Sequence, residues 1–208
     1  KIIEIEPNNY QAWLLKGKSA GWASTLQNPR FSEAVSGFTK AIANAPEDER
    51  DEIIDETKNE IKNLSAALIS LRSDRFVELP DEVEAKGFKI DVFNILKAIE
   101  QYIIQSGSSI SLSEIMTPIA MQINDAVVAA WSDRIIPDYN GDENRPDQYE
   151  WKEFIRRVGY CTDLLEEAIS FCDEDCEANI QNYENLIVLH TEAIDSCSWD
   201  YHITDWGK

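Results

Sequence analysis

The 208 residues include 39 acidic and 19 basic side chains, so the formal net charge is −20. A field of that sign repels nucleic-acid phosphates and anionic lipids, which argues against nucleic acid and membrane partners. It favours basic partners, and the alternative is an acidic surface that is only solvated. The length allows one sizeable domain with a core, 8 glycines and 7 prolines favour an all-α class, and no apolar run reaches the roughly 18 residues of a membrane helix.

The segment of residues 8–46 is predicted to form two antiparallel helices. Small residues at helical spacing let two helices approach closely, and large apolar residues fill the gap to the next hairpin. The residues in this pattern are Trp13, Leu15, Gly17 and Ala20 in the first helix, and Ala34, Phe38, Ala41 and Pro46 in the second. The pattern resembles a tetratricopeptide (TPR) repeat of bacterial type. Residues 2–9 resemble the end of a preceding repeat, with an apolar helix end, Pro7, and then the two asparagines that open the next hairpin.

The segment departs from the TPR pattern at several positions. The aromatic usually found near Ala20 is missing, and Lys16 stands where the family prefers leucine. About five extra residues separate Gly17 from Ala34, relative to the usual repeat of about 34 residues. We expect them to add a turn to the first helix and to enlarge the loop, with Pro29 starting the second helix region. The resemblance covers about a fifth of the chain.

The resemblance implies a binding site. In TPR proteins the inner face of the first helix lines a concave groove for an extended peptide. By position, this implies that Gln11, Leu14, Lys18 and Trp22 contact a peptide. The alternative is that Leu14 and Trp22 pack against a neighbouring helix, which is the commoner fate of large apolar side chains.

The region of residues 47–137 is predicted to hold divergent helices. A long amphipathic helix is expected between Pro46 and Pro80, because apolar residues recur at intervals of three and four. Its apolar side consists of Ile54, Thr57, Ile61, Leu64, Leu68 and Leu71. The next helix is weakened by Gly87 and ends at Gly107, which suits a C-cap. Its apolar side consists of Val92, Ile95, Leu96, Ile99, Tyr102 and Ile103.

A third helix of this region is predicted to start at Ser111, which forms a capping box with Glu114. Pro118 lies about two turns into this helix and is expected to kink or delay it. The inner side consists of Ile115, Ile119, Ile123, Val127 and Trp131. The helix is expected to end before Pro137.

Residues 137–146 form a predicted loop with a weak resemblance to a calcium site. The acids and amides that alternate there are Asp138, Asn140, Asp142 and Asn144. An EF-hand loop requires glycine at its sixth position and an acid at its twelfth. Counted from Asp138, these positions hold Glu143 and Tyr149, so a solvated turn is predicted instead of a calcium site.

Residues 146–197 are predicted to form a second long antiparallel hairpin that breaks near Asp173. The apolar stripe of its first helix consists of Trp151, Phe154, Ile155, Val158, Cys161, Leu165, Ala168, Ile169 and Cys172. The stripe of its second helix consists of Cys176, Ile180, Tyr183, Ile187, His190, Ile194 and Cys197. The aromatic tail, residues 198–208, is expected to fold back on the bundle or to meet another chain.

The four cysteines and two histidines raise the question of a zinc site. On one helix, Cys176 and His190 are about 21 Å apart, and His190 and Cys197 about 10 Å, at a rise of 1.5 Å per residue. Zinc holds its ligands within about 2.3 Å, so no metal site is predicted. The cysteines are interpreted as core thiols and not as disulfides, which fits a cytoplasmic protein, and His190 is interpreted as a core histidine.

No catalytic chemistry is legible in this sequence. There is no nucleophile elbow and no glycine-rich phosphate loop, and nothing selects an acid–base pair from the 39 acids. We therefore predict no catalytic residues, no cofactor and no enzymatic activity.

The whole sequence is interpreted as a single all-α domain, cut from a longer chain. About seven antiparallel helices are expected, as a TPR-like α-α superhelix that continues into a divergent helical bundle. By resemblance, the expected function is a non-enzymatic, cytoplasmic scaffold or adaptor that binds a protein or peptide segment. Two alternatives stay open: an accessory helical domain of a larger enzyme or zinc-ribbon protein, and a helical protein that binds or hydrolyses a small molecule.

Overall fold

A computed structural model describes residues 2–107, 111–132, 148–172 and 176–196. This part of the chain is all-α, as predicted, with eight helices and no strand. The helices are α1 (Ile2–Ile5), α2 (Tyr10–Trp22), α3 (Phe31–Asn44), α4 (Arg50–Glu78), α5 (Glu82–Ser106), α6 (Ser113–Ser132), α7 (Gln148–Ser170) and α8 (Glu177–Ser196). The predicted loop at residues 137–146 and the aromatic tail at 198–208 lie outside the described residues.

Helices α2 and α3 form the predicted antiparallel pair. A Cβ on Gly37 would lie 2.7 Å from the Cα of Gly17, so the two backbones touch. Lys40 of α3 lies 4.2 Å from the ring centroid of Trp13, near the start of α2, which fixes the antiparallel direction. Helix α2 ends at Trp22, so most of the extra residues lengthen the loop and not the helix.

Helix α4 lies beside α2 and runs parallel to it. The Lys18 ammonium donates to Glu56 at 2.6 Å, and the indole N–H of Trp22 donates to Glu60 at 3.2 Å. Both pairs are 38 residues apart in the sequence, so the residue numbers of the two helices rise together. Helices α2 and α4 therefore run in the same direction and α3 runs in the opposite one. Residues of α2 face residues of α4 that are 38 positions later in the sequence.

The predicted apolar side of α4 is only partly right. Thr57, Ile61 and Leu64 are buried as predicted, whereas Leu71 is exposed. The buried residues that the prediction missed are Ile53, Ser65, Ile69 and Phe76. The buried positions advance mostly in steps of four residues, which exceeds the 3.6 residues of a turn. The buried side consequently rotates along this 29-residue helix, and a single straight stripe cannot describe it.

The predictions for α5 and α6 agree with the structure more closely. Helix α5 starts after Asp81, whose carboxylate accepts from the backbone N–H of Glu84 at 2.8 Å, and it continues through Gly87. It ends at Gly107, which has a φ of 65°, as a C-cap glycine should. Helix α6 contains Pro118 and runs on to its end. Its five predicted inner residues, Ile115, Ile119, Ile123, Val127 and Trp131, are all buried.

The chain divides into two compact units. Unit 1 comprises Lys1–Asp74 and Gly87–Ile119, and unit 2 comprises Arg75–Lys86 and Ala120–Lys208. The fully buried large side chains of unit 1 include Phe38, Ile61, Leu64, Phe88, Ile99 and Tyr102, and those of unit 2 include Phe76, Ile123, Leu164 and Leu165. The boundaries predicted at residues 46 and 137 do not coincide with those of the units, and the single-domain prediction stays a prediction.

Helices α7 and α8 of unit 2 pack against each other, as the second hairpin requires. In α7, Phe154, Cys161, Leu165 and Ala168 are buried as predicted, and Ile155 is exposed.

In α8 the predicted inner side is wrong. Ile180, Tyr183, Ile187 and Ile194 are between 48% and 69% exposed. His190 is exposed too, so it is not a core histidine. The buried residues of α8 are instead Asn179, Asn182, Leu189 and Ala193.

The cysteines follow the core-thiol prediction in part. Cys161 is buried, whereas Cys172 and Cys176 are half-buried, and all three are thiols. Cys197 lies outside the described residues.

Candidate peptide-binding face

The four residues implied by the TPR resemblance lie on one side of α2. Gln11 and Trp22 are exposed, and Leu14 and Lys18 are half-buried. Lys18 and Trp22 reach toward α4, whose nearest side is a row of glutamates. The structure therefore brings the predicted residues together and adds an acidic surface beside them.

The acidic row consists of Glu49, Glu52, Glu56 and Glu60. These residues recur at intervals of three and four, which places them on one face of a helix. Lys18 lies between two of them, with its Nζ 2.6 Å from Glu56 and 3.3 Å from Glu60. The hydrogen bond to Glu56 is the main cause that raises the pKa of the Lys18 ammonium. One cation thus faces several carboxylates, and the row keeps a negative charge.

Tyr10 attaches the start of α2 to the same row. Its hydroxyl donates to the Glu49 carboxylate, and this bond raises the pKa of the Tyr10 phenol. Asn9 caps α2 by accepting from the backbone N–H of Ala12 at 2.9 Å. The first turn of α2 is therefore fixed at both its cap and its side.

Trp22 is a large exposed aromatic side chain on this surface. It is 59% exposed, although its indole N–H is bound to Glu60. Burial of a tryptophan is normally favourable, and an exposed indole that is held by its polar edge leaves an apolar surface for a partner.

Leu15 accompanies Trp22 on the same side of α2. It is 66% exposed, and seven residues bring it almost directly in line with Trp22. Leu15 was not among the predicted contact residues, because the TPR positions pointed to Leu14. We call Gln11, Leu15, Lys18 and Trp22 of α2, with Glu52, Glu56 and Glu60 of α4, the α2–α4 face.

Unit 1 also contains a cavity of about 260 Å³. Its lining includes Leu26 and Pro29 of the α2–α3 loop, Leu68 of α4 and Asp91 of α5. Asp91 is the one ionisable side chain among the described residues that line it, and it is held by Arg72 at 2.6 Å. A pair of acids for acid–base chemistry is therefore not found in this lining.

Within the described ranges, no group of three or more His, Cys, Asp or Glu side chains is placed to hold a metal ion. In the same part of the chain, no helix combines the length and the apolar character needed to cross a bilayer.

Comparisons with known proteins give no further direction. Neither a protein-family model, nor a curated protein, nor a solved structure matches the chain. What the chain does is therefore inferred from the side chains of α2 and α4 and their surroundings.

Proposed function

We propose that this chain is a non-enzymatic, TPR-like scaffold that binds an extended basic segment of another protein on the α2–α4 face. The observation behind the proposal is the parallel placement of α4 beside α2, which brings exposed Trp22 next to the acidic row. The binding is non-covalent and uses side chains of two helices.

The arrangement of α2, α3 and α4 supports the TPR-like part of the proposal. In a TPR array, the first helices of successive repeats are parallel neighbours at an offset of about 34 residues. The offset here is 38 residues, and about five extra residues stand between Gly17 and Ala34. The inserted loop accounts for the difference. Ala34, Phe38 and Ala41 are fully buried, as the close packing of a repeat requires.

The acidic row supports a basic partner. Glu52 is exposed, and Glu56 and Glu60 are only partly neutralised by Lys18. Lysine and arginine side chains of a partner would form charge-assisted hydrogen bonds with these carboxylates. The net charge of −20 would add long-range attraction, so binding should weaken as salt is added.

The two exposed apolar side chains support an extended partner. Leu15 and Trp22 are seven residues apart on one helix, which corresponds to about 10 Å along its axis. Residues three apart in a polyproline II segment lie about 9 Å apart on the same side. A segment with apolar residues at this spacing, and Lys or Arg between or beside them, fits both anchors and the acidic row.

The proposal includes a cytoplasmic location. Cys161, Cys172 and Cys176 are thiols, which fits a reducing compartment.

A second candidate function rests on the cavity of unit 1. Its lining combines apolar residues with the polar Thr25, Ser32 and Asn94, a mixture that suits a small-molecule ligand. Thermal-shift measurements with a compound library would detect such a ligand, and its effect should be lost in Leu68→Glu but not in Trp22→Ala.

The main proposal is tested with a phage-displayed library of random peptides, selected on the full chain. Selected peptides should be enriched in Lys and Arg. Trp22→Ala should weaken their binding about tenfold, since exposed aromatic anchors dominate such contacts. Phe93→Ala, which truncates another exposed aromatic of unit 1, should leave the dissociation constant within about twofold.

A charge reversal supplies the second comparison. Glu52→Lys should weaken binding of the same peptides, whereas Glu100→Lys, at an exposed acid of α5, should not. If the selected peptides are acidic, or if Trp22→Ala and Glu52→Lys both bind them like the wild type, the α2–α4 face is not the binding site.

A further inference from the structure

Helix α8 directs a row of apolar side chains outward. The α8 row consists of Ile180, Tyr183, Ile187 and Ile194, which are between 48% and 69% exposed. Their spacings of three, four and seven residues match the a and d positions of a heptad repeat, with His190 at the remaining d position. Such a regular exposed seam is the pattern of a helix that packs against another helix.

Polar contacts on the opposite side of α8 hold the row outward. Asn124 of α6, which is buried, donates to Asn182 at 2.6 Å and accepts from Asn185 at 2.7 Å. The indole N–H of Trp131 donates to Glu192 at 2.6 Å. Turning the row inward would break all three bonds and would leave buried polar groups unpaired, which costs about 1–3 kcal/mol each.

Helix α8 itself is acidic. Helix α8 has no Lys or Arg, and Glu177, Glu184 and Asp195 are exposed on it. A second copy of this chain would therefore bring like charges together, which is unfavourable at the e and g positions of a helix pair. A partner with basic flanks is complementary instead.

Helix α7 leaves room beside the row. Thr162 of α7 lies 3.4 Å from Nε2 of His190, which fixes the two helices next to each other at this point. One turn away on α7, nothing lies within 4 Å of the position of a Cβ on Gly159. The α7 surface at Gly159 is therefore open to a partner.

We propose that the α8 row is the docking site for an amphipathic helix of a partner protein, with apolar residues at intervals of three and four and Lys or Arg flanking them. The row extends about 21 Å from Ile180 to Ile194, which corresponds to about two heptads of the partner. This site belongs to unit 2 and uses none of the residues of the α2–α4 face, so it goes beyond the function proposed above.

The probe is a fluorescent 21-residue peptide with Ile at a, Leu at d and Lys at e and g. A scrambled peptide of the same composition and a peptide with Glu at e and g serve as controls. Anisotropy titrations of the full chain should show at least tenfold tighter binding of the Lys peptide than of either control. Trp22→Ala should bind it like the wild type, which separates this site from the α2–α4 face.

Two substitutions by aspartate test whether the peptide binds at the α8 row. Ile187→Asp should weaken binding at least tenfold, and Val83→Asp, at an exposed apolar residue of α5 in the same unit, should stay within about twofold. Circular dichroism confirms that both variants fold.

Several results would overturn the proposal. They are no binding by the wild type, equal binding of the scrambled peptide, and unchanged binding by Ile187→Asp. A dimer in sedimentation equilibrium that dissociates in Ile187→Asp would assign the row to a second copy. Binding that appears only in the double variant Trp199→Ala/Trp206→Ala would assign it to the aromatic tail.

Discussion

The α2–α3 pair and helix α8 differ in how their buried faces are determined. In the α2–α3 pair, Gly17 and Gly37 stand where two backbones touch, and any larger residue would push the helices apart. In α8, by contrast, the apolar periodicity marks the exposed side, and asparagines occupy the buried one. Glycines at a close backbone contact therefore predicted the buried face of the α2–α3 pair correctly. The spacing of apolar residues alone did not predict the buried face of α8.

The residue that orients α8 lies on a different helix. Asn124 is on α6, between the buried Ile123 and Val127, and it must find polar partners inside the protein. Asn182 and Asn185 provide them from α8. The orientation of α8 thus depends on a residue of another helix, which the pattern of α8 by itself cannot reveal.

The largest effect should come from adding one methyl group between α2 and α3. A Cβ on Gly37 would lie 2.7 Å from Gly17 Cα and 3.1 Å from the Trp13 carbonyl oxygen, both backbone atoms. We expect Gly37→Ala to lower the free energy of unfolding by about 3 kcal/mol, because the helices must separate. Urea unfolding followed by circular dichroism measures the change.

Gly159→Ala is the matched control for this substitution. It lies inside α7 and a Cβ there meets nothing within 4 Å, so alanine should raise the free energy of unfolding by about 0.5–1 kcal/mol. If both variants change stability by similar amounts in the same direction, close contact at Gly37 is not what determines the inner face of the hairpin.

The second largest effect should come from the centre of the asparagine cluster. Asn124→Ala leaves Asn182 and Asn185 without their shared partner, and we expect a loss of about 2 kcal/mol in the free energy of unfolding. Asn63→Ala, at an exposed position of α4, should change it by less than about 0.5 kcal/mol.

A double-variant cycle sharpens this comparison. Asn124→Ala and Asn182→Ala should be non-additive by about 1 kcal/mol, because the two side chains share one hydrogen bond. Additive losses would mean that the cluster does not hold α8 in its orientation.

Helix ends and single-sided helices could be predicted from the sequence. Pro80 and Gly107 limit α5 by backbone chemistry that involves few neighbours. Helix α6 has one broad apolar side, so its inner residues, such as Ile119 and Ile123, follow directly from periodicity.

Relations between helices were harder to predict. The parallel offset of α2 and α4 depends on the length of the α2–α3 loop, and the acidic row became visible only once Lys18 was seen between Glu56 and Glu60. The glutamates of the row recur at intervals of three and four in the sequence. That spacing places them on one helix face but does not say which helix lies beside that face. Leu15 was missed for the same reason: its exposure depends on how α2 packs.

The smallest effect on stability is expected at Tyr160 of unit 2, whose hydroxyl is hydrogen-bonded to a backbone carbonyl. Its hydroxyl donates to the Pro80 carbonyl, and its ring meets Phe76 edge-on at 5.9 Å between centroids. Burial raises the pKa of Tyr160 from 10.0 to about 12. We expect Tyr160→Phe to lower the free energy of unfolding by about 1 kcal/mol at pH 8, where the phenol is protonated in both states.

The contribution of Tyr160 to the free energy of unfolding depends on pH. The folded chain holds the phenol proton more tightly than the unfolded chain, so the contribution is complete below pH 10.0 and is lost as the pH rises through about 12. The difference in the free energy of unfolding between wild type and Tyr160→Phe should therefore fall between these values and change sign, because a rise in pKa from 10.0 to about 12 corresponds to about 2.7 kcal/mol. Tyr183→Phe, at an exposed tyrosine of α8, should change the free energy of unfolding at pH 8 by less than about 0.5 kcal/mol. A constant difference for Tyr160→Phe would mean that the buried phenol does not stabilise unit 2 through its proton.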